Sequence, residues 1–246
     1  MSHITLDKKK LSMLAAAATA VLLAACGGGG GSGPLASAGA LTGVVVDGYL
    51  QGAAVFLDMN RNGVQDAGEP STTTDLNGRY TLDYSEVTGS ITGLPVVVTG
   101  GVDSDTGFAF AGKLAAPVES ARQAQVVTPL TTLVDAMVAQ GLAADVASAK
   151  QKVATALGLT VDQLSTDPVA AIASNPGIYT TAVALQRSIQ LLASANAITG
   201  ESSHESQERV IRALATAIRS QTSPVDVSQL IASVPLSNSM AAQQLA

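Results

Sequence analysis

Apolar and polar positions change rhythm near residue 125. From residue 40 to 125, short apolar or alternating runs recur: LTGVVVDG (41–48), AAVFLD (53–58), GRYTLDY (78–84), LPVVVTG (94–100) and FAFAGKLA (108–115). Runs this short, rich in β-branched and aromatic residues, predict strands. Turn signals part them at Asp47-Gly48, Asn62-Gly63, Asn77-Gly78, Gly100-Gly101 and Thr106-Gly107. With no helical stretch between them, they predict a small antiparallel β-sandwich. Asn77-Gly78, between Thr72-Thr73-Thr74 and Tyr80-Thr81-Leu82, reads as a tight hairpin.

From residue 126 to 246 the period becomes helical. Thr128 can cap a helix that Pro129 opens, and Leu130, Leu133, Val134, Met137 and Val138 share one face before Gly141. Further helices are expected at about 143–157, ending at Gly158, and at 162–173, before Asn175-Pro176-Gly177 breaks the chain. Three more follow, at 178–198 with Ile189, Leu192 and Ile198 inward, at 203–220, and at 226–234. The expected fold is α+β in two domains, a β-sandwich (40–125) followed by an α-helical bundle (126–246). Every aromatic except Tyr179 lies between Tyr49 and Phe110, which agrees with that division.

The first 26 residues follow neither rhythm. Lys8, Lys9 and Lys10 precede an uncharged apolar run, residues 11–25, that stops at Cys26. A basic start, an apolar stretch and small residues before a cut site describe a signal peptide. The run is shorter than the roughly 20 residues of a membrane span. Leu23-Ala24-Ala25-Cys26 resembles the signal box of bacterial lipoproteins. That resemblance implies that Cys26 becomes the N-terminus and carries the lipid, palmitate included, so that the chain meets the membrane through it. Gly27 resembles the sorting signal of Gram-negative outer-membrane lipoproteins, which implies the cell envelope. Residues 27–39, GGGGGSGPLASAG, read as a flexible tether.

Composition removes several classes. Lys+Arg 13 against Asp+Glu 19 gives a net charge of −6, whereas a nucleic-acid binder carries a basic face. With His 2 and Cys 1, a multi-ligand His/Cys zinc site and a disulfide framework are both out of reach. Neither a phosphate-binding G-K-[ST] loop nor a G-x-G-x-x-G on a strand-to-helix turn occurs after the signal. A Ser-His-Asp triad in the processed chain would have to use His204, which sits in the polar helix start ESSHESQER and reads as a surface residue.

One constellation carries chemistry. Residues 58–69 read DMNRNGVQDAGE. Oxygen-bearing side chains fall at loop positions 1, 3, 5, 9 and 12 (Asp58, Asn60, Asn62, Asp66 and Glu69), Gly63 stands at 6, and Val64 at 7 can offer its carbonyl. This is the spacing of an EF-hand calcium loop. Calcium takes six to eight hard oxygens at about 2.3–2.6 Å, and the glycine lets the chain reverse. The flanks GAAVFLD and PSTTTDLNGRYTL are strand-like, so an EF-hand-like loop bridges two strands.

The wider stretch from Gly43 to Leu82 resembles the calcium-binding B-type domains of serine-aspartate-repeat surface adhesins, and more loosely carboxypeptidase-regulatory-like domains. The resemblance implies an immunoglobulin-like or transthyretin-like fold and a role as spacer or binding module rather than catalyst. A non-enzymatic, adhesin-like structural or interaction protein is therefore expected. The alternative is a ligand-binding module for a protein or glycan partner; Trp 0 and Tyr 4 disfavour glycan. A hydrolase built on Asp58 and Asp66 is less economical, because calcium already uses both. Asp103 and Asp105 read as turn residues bonding their own backbone, with a second ion site as the alternative. Asp75 and Asn77 read as turn residues too. Asp47 is a candidate for capping the calcium loop from outside.

Overall fold

The computed structural model describes residues 39–120 and 122–234. The signal peptide, Cys26, residues 27–38 of the tether and the last residues, 235–246, lie outside the described residues. Nine strands come first: β1 (Ala40–Val45), β2 (Leu50–Gln51), β3 (Ala54–Leu57), β4 (Ser71–Thr73), β5 (Arg79–Asp83), β6 (Pro95–Thr99), β7 (Val102–Asp103), β8 (Lys113–Pro117) and β9 (Gln125–Val127). Six helices follow: α1 (Pro129–Ala139), α2 (Val146–Leu157), α3 (Val161–Leu164), α4 (Pro176–Ala195), α5 (Ser203–Arg219) and α6 (Val227–Ala232). The chain is therefore of mixed α and β content, strands before helices. All described residues belong to one compact unit.

The strands form a three-stranded sheet β5-β1-β9, a four-stranded sheet β4-β3-β6-β8 and a small pair β2-β7. Pairing is antiparallel except for β1 with β9, which run parallel. That corrects the all-antiparallel expectation; β9 follows the other strands and leads directly into α1, so it enters beside β1 from the same end. Alternation in β5 buries Tyr80 and Leu82 and leaves Arg79, Thr81 and Asp83 exposed. In β6, Pro95 to Val98 are all buried. Val96 and Val98 share a core with Leu41, Val45, Leu82 and Val127 of the three-stranded sheet. Val97 turns the other way, onto Phe56 and Ala115.

Helix α1 lies along β8, the edge of the four-stranded sheet. The Thr132 hydroxyl accepts from Ala115 N at 3.0 Å, and the Thr131 hydroxyl donates to Ala115 O at 3.0 Å. The outward amide and carbonyl of Ala115, mid-way along this edge strand, are thus satisfied by two side chains of the helix. Thr128 and Thr131 also cap α1 reciprocally.

Asn77-Gly78 does not make a hairpin. β4 pairs with β3 and β5 pairs with β1, so the turn passes the chain from one sheet to the other. Asp75 Oδ1 accepts from both Asn77 N and Arg79 N, which fixes the turn. The Thr74 side chain, bonded to Ala53 N and Leu50 O, holds the strand before the turn to the β2–β3 region.

Helix starts follow their caps, with three differences from expectation. Pro176-Gly177 opens α4 instead of breaking the chain, since a first-turn proline has no amide to lose. The third segment is helical only over Val161–Leu164 and continues as turns past Pro168. Ile198, expected inward, lies beyond the end of α4 and is 57% exposed. The helices bury a core of their own around Leu133, Met137, Val153, Leu185 and Leu214. Lys150, buried on α2, pairs with Glu119 at 2.8 Å and Ser165 at 2.7 Å, tying the bundle to the segment after β8.

Gly43 sits in the middle of β1 between Tyr80 of β5 and Gln125 of β9. A Cβ there would meet Gln125 O at 2.3 Å and the Tyr80 ring at 2.5 Å. Gly43→Ala is expected to cost about 1–3 kcal/mol by overpacking. Urea unfolding measures it, and an unchanged midpoint would show that the three-stranded sheet has slack.

Candidate metal-binding loop

The loop over 58–69 leaves β3 and returns to β4. Its base is closed by Leu57 N to Pro70 O at 3.0 Å and by Asp58 N to Pro95 O at 3.0 Å. Asp58 is only 2% exposed. Its Oδ1 accepts from Asn62 N at 3.2 Å and its Oδ2 from Gly63 N at 2.7 Å. Asn60 Oδ1 accepts from Asn62 N at 3.0 Å, and Asn62 Oδ1 from Val64 N at 2.8 Å. Successive side chains therefore fold inward over their own backbone, as short polar residues do in tight turns.

The second half of the loop closes on the first. Asp66 Oδ2 accepts from Asn60 Nδ2 and from Asn62 Nδ2, each at 2.7 Å. Glu69 Oε1 accepts from Met59 N at 2.7 Å, and its Oε2 from Asp66 N at 3.1 Å. The structure thus brings Asn60, Asn62 and Asp66 into direct contact, with Asp58 and Glu69 bracing the backbone around them. Val64 is 61% exposed. Its carbonyl takes no hydrogen bond among the described residues.

Among the described residues no three His, Cys, Asp or Glu side chains gather into a metal cluster by themselves. The oxygens the loop offers belong to three carboxylates, two carboxamides and the Val64 carbonyl, all hard donors of the kind calcium takes.

Gly63 is required for its backbone conformation, and its missing side chain leaves room for the movable end of Lys113. Its φ is +74°, and a Cβ would lie 2.3 Å from Lys113 Nζ. Arg61 is the one non-glycine residue with positive φ, 60°, among the described residues. Its guanidinium leaves the loop, donating to the Gly93 carbonyl and to Asp135 Oδ1 of α1 at 3.4 Å. Lys113 pairs with Glu208 of α5 at 3.2 Å, and Glu208 pairs with Arg212. A cleft of about 260 Å³ separates these groups, with Asp58, Arg61, Lys113, Asp135 and Glu208 on its walls. Burial pushes the Asp135 carboxyl up to about 6, against the pull of Arg61. Sequence spacing does not reveal this junction: Glu208 and Arg212 stand one helical turn apart, but nothing in the spacing joins Arg61 to a residue on α1.

The other acidic residues gather elsewhere. Asp103 Oδ1 accepts from Asp105 N at 2.8 Å and Oδ2 from the Thr106 hydroxyl at 2.9 Å, the local turn expected of them. Asp47 does not cap the loop; it stands beside Asp103 and Asp105. There β1 has ended, and Gly48 passes so close to Asp103 that a Cβ would fall 1.9 Å from its Oδ1. Asp47 and Asp103 line a second cleft of about 440 Å³ with Phe108, Phe110, Gln190 and Ser206. His204 on α5 is half-buried rather than fully solvated, and burial lowers its pKa.

Compared with known proteins, the chain matches no family, no curated protein and no solved structure. Function has to be read from the residues themselves.

Burial first, then Asp103, raises the Asp47 carboxyl to about 7. An acid whose pKa is raised on folding supports the fold while protonated, and that support is lost as pH rises from about 4 through 7. Asp47→Asn is therefore expected to be more stable than the wild type, by a margin that grows over this range and then levels off. Unfolding measured at several pH values checks it; a margin independent of pH would contradict it.

Proposed function

We propose that this chain is a non-enzymatic, lipid-anchored protein of the bacterial cell envelope, an outer-membrane lipoprotein held by Cys26. Its two facing sheets are read as a small β-sandwich domain stabilised by one calcium ion, followed by a helical domain. The observation that carries the calcium reading is the inward fold of the 58–69 loop, in which Asp58, Asn60, Asn62, Asp66 and Glu69 are already linked by hydrogen bonds. Asp58, Asn60, Asn62, Asp66 and Glu69 would supply side-chain oxygens, and Val64 its carbonyl. When bound, the ion supplies positive charge that offsets the mutual repulsion of three carboxylates and fixes the loop that joins β3 to β4. The likeness of residues 43–82 to adhesin B-type domains supports the same reading. Among the described residues no helix is long and apolar enough to cross a membrane.

A second reading, a module that binds a ligand or partner protein, is favoured by one feature. Phe108 is 76% exposed at the rim of the larger cleft, where an apolar ring gains nothing from water.

Calcium in hundredfold excess over its dissociation constant should stabilise the chain by about 2.7 kcal/mol. Calorimetric scans with calcium and with chelator read this as a higher melting temperature, which Asp66→Asn combined with Glu69→Gln should abolish. Equal melting temperatures in the wild type would reject the site. The anchor has its own test. Labelled palmitate should enter the wild-type chain in bacteria and not Cys26→Ser, and an unlabelled wild type would reject the lipid.

A further inference from the structure

We infer that the 58–69 loop acts as a clamp. Through Arg61 and Asp135, metal held in the loop and the seating of α1 on the four-stranded sheet stabilise each other. This rests on the calcium reading of the loop and adds its regulation. Arg61 stands between two proposed ligands, Asn60 and Asn62, in a backbone conformation that costs a long side chain about 1 kcal/mol or more. What the conformation achieves is direction. The guanidinium points away from the loop's oxygens, reaching the Gly93 carbonyl before β6 and Asp135 on α1.

Asp135 needs that partner. Its side chain is 15% exposed, and the bond from Arg61 is the one its carboxylate receives among the described residues. Removing the guanidinium would leave a largely buried carboxylate with no hydrogen-bonded cation and only Lys113 across the cleft to offset its charge, which is costly. The seat of α1 and the position of Arg61 therefore hold each other in place. The same helix hooks β8 through Thr131 and Thr132, one turn before Asp135. A second contact runs in parallel, with Lys113 lying against Gly63 and reaching Glu208 of α5. An ion that fixes Asn60 and Asn62 fixes the backbone of Arg61 between them. Linkage is reciprocal, so a seated α1 must tighten the ion by the factor with which the ion tightens α1.

The test pairs Arg61→Met with Asp135→Asn, which removes one charge of each sign and leaves the net charge unchanged. Amide hydrogen exchange of the full-length chain is followed by mass spectrometry with and without calcium, and the dissociation constant is taken from titration against a chelator. In the wild type, calcium should slow exchange about tenfold both in 58–69 and in α1. In the paired variant the dissociation constant should rise about tenfold, and the slowing should persist in 58–69 but vanish from α1. A variant that keeps the affinity and the slowing in α1 overturns the clamp. If the variant does not fold, the wild type decides: slowing confined to 58–69 overturns the clamp, and slowing that reaches α1 supports it. A wild type that takes up no calcium at all overturns the site itself, a result distinct from a site that binds without touching α1.

Discussion

A strand that is apolar on both sides has to be covered on both sides, and β6 is such a strand. Val96 and Val98 face the three-stranded sheet, while Val97 faces Phe56 and Ala115 on the side where α1 lies. This constraint makes the helices part of the β half's environment. Without α1, one face of the four-stranded sheet and the free edge of β8 would meet water. The threonines of α1 answer the edge with hydrogen bonds at Ala115, while its apolar face joins the helical core. Strand and bundle cores remain separate, yet both depend on one helix.

The candidate site grows from the same layer. Asp58 follows directly on β3, and its amide bonds Pro95 at the start of β6. The rigid sheet thus positions the first carboxylate, and the loop's own polar side chains position the rest. Loops placed by a packed scaffold are where binding chemistry concentrates. The loop is not isolated from the bundle. Arg61 and Lys113 lead from it to α1 and α5, so an ion placed there would act on the junction between the two halves as well as on β3 and β4.

Local chemistry was readable in the sequence, and pairing across distance was not. Thr128-Pro129 was legible as a helix start because a cap is decided within four residues, and Asp145, Thr160 and Ser202 cap α2, α3 and α5 by the same local bonds. The oxygen spacing of 58–69 was legible for the same reason: its hydrogen bonds are local. Asn77-Gly78 misled because a turn motif states that the chain reverses and says nothing about which sheet receives the next strand. β9 was missed because three residues, QVV, carry too little pattern to reveal a parallel partner at β1. Arg61 and Asp135 lie 74 residues apart, and only the packing of α1 on the sheet brings them together.

Equilibrium dialysis of the metal-free chain against radioactive calcium asks whether the 58–69 loop holds the ion. One ion should bind per chain, and none when Asp66 and Glu69 lose their charges. A wild-type chain that retains no calcium at millimolar free ion would contradict it, and the 58–69 loop would then be a turn held by its own hydrogen bonds alone.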